Sequence, residues 1–130
     1  MSSFRVLLWL EDEPRRIRAF MFTPGSSTSS WRGETSIDVP RTLYPIGLAV
    51  RRRYWHDPLT KTVVALDYDQ NTLIKFSSFV LHDDDEGDGD GFFGKAAVTV
   101  GHDGEARIVV DASGDILKIF ARQKWRRCRR

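Results

Sequence analysis

The residues best placed to do chemistry are arginines set beside aromatic rings. Arg51-Arg52-Arg53-Tyr54-Trp55 joins three guanidinium groups to two rings, and Lys124-Trp125-Arg126-Arg127-Cys128-Arg129-Arg130 repeats the combination near the carboxyl end. Guanidinium forks grip phosphate oxygens in pairs, while indole and phenol rings stack on unpaired bases. The pattern predicts an RNA-binding surface built from Arg51, Arg52, Arg53, Tyr54, Trp55, Lys124, Trp125, Arg126, Arg127, Arg129 and Arg130. Arg15, Arg16 and Arg18 form a third basic cluster. Such a surface would bind with steep salt dependence, because each neutralised phosphate releases counterions. Three plainer roles compete. Arginines on an edge strand discourage sheet-to-sheet pairing, basic segments neutralise acidic ones, and tryptophans are mostly core residues. A net charge of +2 is also low for a dedicated polynucleotide binder.

That small net charge conceals segregation. Asp83, Asp84, Asp85, Glu86, Asp88 and Asp90 place six negative charges in eight residues, and the last nine residues hold six positive ones. Blocks of like charge are normally solvated or serve as interaction segments. Asp84-x-Glu86-x-Asp88-Gly89 has the opening spacing of a calcium-binding EF-hand loop. The twelfth position is Lys95, a cation where a bidentate carboxylate is required, so that motif fails. The segment is expected to be a solvated connection. Its alternative use is to meet a basic protein partner by mimicking nucleic-acid charge.

Histidine precedes aspartate three times, as His56-Asp57, His82-Asp83 and His102-Asp103. Such pairs can bind metal or shuttle protons. All three fall at predicted turns, and a meander would place His102 on the rim opposite the other two, so no metal site is expected. Glycines 87, 89, 91 and 94 sit among carboxylates that repel phosphate, and no Gly-x-Ser-x-Gly nucleophile motif occurs, so no cofactor is expected. The one enzymatic reading is a small metal-independent ribonuclease using His102, Glu105 and Arg107. Cys128 is the only cysteine, which excludes an internal disulfide.

The elements that must position these groups are predominantly strands. Phe4–Leu10 and Arg16–Phe22 read as a hairpin around Pro14, and residues 23–30 as a mobile polar loop. A short edge strand is predicted around Ser36–Val39. Leu43, Ile46, Val50 and Tyr54 have helical spacing, yet Ile46–Trp55 also alternates as a strand, and strand is preferred over a helix near 41–55. Thr62–Tyr68 and Thr72–Leu81 form a second hairpin, followed by a long acidic loop at 83–91. Residues 95–121 form a three-strand meander whose turns, GHDG and DASGD, carry glycine. The prediction is mainly β: a single antiparallel domain of about seven or eight strands over 1–121, a sandwich or small barrel, with a basic tail at 122–130.

The 130 residues suit one domain and are 41% hydrophobic, enough for one core. Neither a membrane-length apolar run nor a secretory pattern is visible, which leads to the expectation of a soluble, intracellular protein, cytoplasmic or nuclear. Two functions follow. The first is a non-enzymatic RNA-binding protein. The second is a protein-binding accessory, inhibitor or immunity-type module that uses the acidic loop or its edge strands, with homo-oligomer formation through paired edges. Small size, segregated charge and no catalytic signature are a common combination among small viral accessory and inhibitor proteins.

Overall fold

The computed structural model describes residues 5–12, 15–23, 30–68, 74–81, 93–112, 116–122 and 125–127. These form eleven strands: β1 (Arg5–Asp12), β2 (Arg15–Thr23), β3 (Ser30–Asp38), β4 (Tyr44–Ala49), β5 (Arg52–Asp57), β6 (Thr62–Tyr68), β7 (Ile74–Leu81), β8 (Phe93–Val100), β9 (Ala106–Ala112), β10 (Ile116–Phe120) and β11 (Trp125–Arg127). The protein is mainly β, as its alternating residues predict, with no helix among the described residues. The strands make three antiparallel sheets, ordered β1-β2-β3, β10-β9-β8 and β11-β7-β6-β5-β4, and none closes into a barrel.

Eleven strands are found where seven or eight are expected, and three local differences stand out. β3 starts at Ser30, well before the predicted Ser36, and borders β2 along the whole of its length. Ile46–Trp55 is neither a helix nor one strand. It folds back on itself at Val50 and Arg51, whose φ angles of 49° and 60° reverse the chain, so β4 and β5 form a hairpin. Trp125–Arg127, expected within a basic tail, is instead β11, an edge strand in register with Leu81, Val80 and Phe79 of β7. The predicted loop at 83–91 and most of the one at 23–30 lie outside the described residues.

The chain divides into two compact units. The first comprises residues 1–41 and 66–76 and contains the β1-β2-β3 sheet. Its buried side chains include Ile17, Ala19 and Met21 of β2, spaced by two as one face of a strand demands. The second comprises residues 42–65 and 77–130. Its core gathers Ala49, Tyr54, Val63, Ala65, Phe79, Leu81, Ala106, Ile108, Val110, Phe120 and Trp125. In β9 the alternation is strict: Ala106, Ile108, Val110 and Ala112 are buried, while Arg107, Val109 and Asp111 are not.

Candidate functional site: an apolar sheet face beside an edge strand

Among the described residues, the rings of the basic clusters lie in the core and not on an exposed surface. Successive side chains on a strand point to opposite faces, so the consecutive Arg52 and Arg53 in β5 diverge, and both are half-buried. Arg51 stands exposed at the hairpin turn. The rings beside them are unavailable for base stacking, since Tyr54 is fully buried and Trp55 is 6% exposed. Trp125 is likewise a core residue. Its indole N–H donates to the Phe120 carbonyl at 3.2 Å, and its ring meets Tyr54 edge-on at 5.9 Å and Phe79 at 5.6 Å. Arg122, which the sequence did not single out as a site, lies over this indole at 5.3 Å. Arg126 and Arg127 are placed by backbone register only, and Lys124, Arg129 and Arg130 lie outside the described residues.

In the first unit, arginines meet carboxylates. Arg16 donates to Asp38 at 2.9 Å, and Arg18 donates to Glu11 at 3.0 Å and to Glu34. The strand register sets Arg16 directly opposite Asp38, while Arg18, opposite Trp9 and Ser36, reaches Glu11 and Glu34 diagonally, two residues along each neighbouring strand. The charges of Arg16 and Arg18 are therefore met by carboxylates of the same unit.

His56, expected in a turn, is the fifth residue of β5 and is fully buried. Tyr44 meets its ring edge-on at 6.2 Å. Burial pushes the imidazole pKa down to about 4, against the smaller opposing pull of Asp57. Asp57 is buried too, and burial alone would raise its pKa. Hydrogen bonds outweigh that: Thr42 at 2.7 Å, Thr60 at 2.9 Å and the Leu59 N–H at 3.0 Å all donate to its carboxylate and hold it below the ordinary range. The bonds from Leu59 and Thr60 tie the β5–β6 turn in an Asx-type arrangement, and the bond from Thr42 fastens it to the segment that precedes β4. The ribonuclease candidates are held in the β8–β9 turn. Arg107 donates to Asp103 at 3.1 Å, with its guanidinium lying where a side chain on Gly101 would stand. Asp103 also accepts from the Glu105 N–H at 3.1 Å, and His102 and Glu105 are exposed. Among the described residues no three His, Cys, Asp or Glu side chains stand close enough to hold a metal, and no helix is long and apolar enough to cross a membrane. His82 lies outside the described residues.

A different feature stands out in the second unit, on the β10-β9-β8 sheet. One side of this sheet faces the core through rows that register fixes: Phe120–Ile108–Val98 and Lys118–Val110–Ala96. The row between them is Ile119–Val109–Ala97, which must face the other way. There Ile119 is 61% exposed, and Leu117, two residues along on the same face, is 65% exposed. Ala97 is exposed and Val109 half-buried. Scattered exposed aliphatics are ordinary, but a contiguous apolar strip marks an interaction surface or an aggregation hazard. On this face Ile119, Val109 and Ala97 form an apolar row, Leu117 stands opposite the exposed Asp111, and the row ends on β10, an edge of the sheet among the described residues. The sequence contained the signal as the alternation Ile116-Leu117-Lys118-Ile119-Phe120, apolar on both faces. Only the register reveals which face lacks a cover.

Leu48 and Val50, 60% and 53% exposed, are a second closely spaced pair, at the end of β4 and the turn that follows it. Comparison with protein-family models and with curated proteins finds no match.

Proposed function

We propose that this chain is a non-enzymatic protein-binding module whose partner docks on the exposed side of the β10-β9-β8 sheet, along the β10 edge. The observation that carries this reading is the pair Leu117 and Ile119, both more than 60% exposed on one face of an edge strand. A partner strand laid along β10 gains backbone hydrogen bonds for affinity and contacts with alternate side chains for specificity. Covering one Leu or Ile completely is worth about 1.5–3 kcal/mol, so two such side chains can anchor a small interface.

The test is capture of partners from cells that make the protein, with the wild type, a Leu117→Asp/Ile119→Asp double variant and a Leu59→Asp control as baits. Leu59 is 74% exposed elsewhere in the same unit. A partner retained by the wild type and the control, lost by the double variant and unaffected by nuclease supports the reading. Equal capture by all three baits contradicts it.

Polynucleotide binding is the second proposal. The exposed position of Arg51 at the β4–β5 turn supports it, whereas the burial of Tyr54, Trp55 and Trp125 takes away the stacking contacts that gave it specificity for single strands. Titration with labelled RNA at about 50 mM salt, with and without Arg51→Ala, decides it, because low salt is the most favourable condition.

A further inference from the structure

We infer that Arg53 receives a small oxyanion, a phosphate or a carboxylate group, on the five-stranded sheet of the second unit. Arg53 is the second residue of β5 and is half-buried. Arg16, Arg18 and Arg107 each meet a carboxylate. Among the described residues none meets Arg53, and its Nε is closed off from water without an acceptor. A guanidinium keeps its charge at every physiological pH, so it cannot shed a proton when drawn out of solvent. Burying a charge without a partner costs stability, and a buried donor left unmet in a folded protein calls for a cause, a bound ion among them.

The local structure gives the ion its approach. The β4–β5 register sets Arg53 opposite Leu48, which is 60% exposed, so this part of the sheet is open to solvent. Of the guanidinium nitrogens only Nε is buried, which leaves the two terminal ones to present a fork outward. Two parallel N–H groups match two oxygens of a phosphate or a carboxylate, and charge strengthens both bonds. Leu48 flanks the fork with an apolar side chain, which keeps water from one side of it. Trp55, the next residue on the same face, is 6% exposed and offers no ring for stacking. Recognition is therefore of the oxyanion itself and not of a base. This site and the apolar row of the β10-β9-β8 sheet lie on different sheets, so neither reading depends on the other.

Melting temperatures of the full chain in chloride, phosphate and acetate at equal ionic strength test the assignment. Arg53→Met keeps an apolar stem without the charge, and Arg16→Met, in the other unit, is the control. Wild type and Arg16→Met should melt about 5 °C higher than in chloride when the anion that binds is at about ten times its dissociation constant. Arg53→Met should lose that increment. In chloride it should melt no lower than wild type, because it carries no uncompensated half-buried charge. An increment in phosphate alone assigns the site to phosphate groups, and one in acetate assigns it to carboxylates. An increment equal in wild type and Arg53→Met, none in wild type, or a folded Arg53→Met that melts below wild type in chloride overturns the inference. If Arg53→Met does not fold, the Arg53 Nε–H resonance of the wild type, titrated with inorganic phosphate and with acetate, decides: a saturable shift supports the site, and its absence with both anions overturns it.

Discussion

His56 has no exposed surface, and its neighbourhood decides how acid affects the molecule. Burial lowers its pKa from 6.5 to about 4, so between those values the unfolded chain holds a proton that the folded chain does not. Stability should therefore fall as pH drops from about 6.5 to 4 and show no contribution from this residue above that window; the loss is on the order of 3 kcal/mol. Denaturant midpoints measured across the window check this, and His56→Phe should flatten the dependence. A slope unchanged in that variant would contradict it. Asp57 follows the same proton linkage from a different cause: hydrogen bonds to its carboxylate lower its pKa, giving stability above its unfolded value of 3.8 that is lost in stronger acid. Asp57→Ala strands the donors of Thr42, Thr60 and Leu59 and should cost about 2–4 kcal/mol, read as a lower unfolding midpoint at neutral pH. Asp57→Asn, which keeps an acceptor, should cost less. The His-Asp pair was legible in the sequence as a place of interest. Whether it served a surface or a core was not, because that depends on strands distant in sequence. The same limit applies to Tyr54, Trp55 and Trp125: their types suit stacking on bases or packing in a core, and only tertiary burial chooses.

At the scale of elements, most strands followed from alternation and from turn residues. The β1–β2 hairpin and the β8–β9–β10 meander lie where the pattern puts them, because Pro, Asp and Gly mark their turns in advance. The β4–β5 hairpin did not show itself, since its turn uses Val50 and Arg51, residues that seldom adopt positive φ. Each left-handed residue of this kind costs about 1–2 kcal/mol. Val50→Asn combined with Arg51→Gly should therefore raise stability by about 1–2 kcal/mol, seen as a higher melting temperature. An unchanged or lower value would mean that these side chains repay the strain by contacts of their own. β11 was hidden for another reason, since its flanking arginines read as a solvated tail. Trp125 nonetheless fills the core of the second unit. Trp125→Ala should cost about 3–5 kcal/mol by thermal or denaturant unfolding, whereas removal of a true tail would cost almost nothing.

For the molecule as a whole, the sequence made charge the conspicuous feature and the fold makes apolar surface the informative one. Arg16 and Arg18 meet carboxylates of their own unit, Arg107 meets Asp103, and Arg52 and Arg53 diverge across β5. Composition could not reveal this, since a count of charges carries no pairing. Leu117 and Ile119 looked like ordinary strand residues, and their exposure became evident once register assigned the other face of β10 to the core. The most direct measurement places a photo-crosslinking amino acid at position 119, with position 59 as the exposed control, and irradiates cells that make the protein. A defined protein adduct at 119, whether another polypeptide or a second copy, and none at 59 is the predicted result. Crosslinks absent at 119, or identical at both positions, would contradict the assignment of this sheet face as the docking surface.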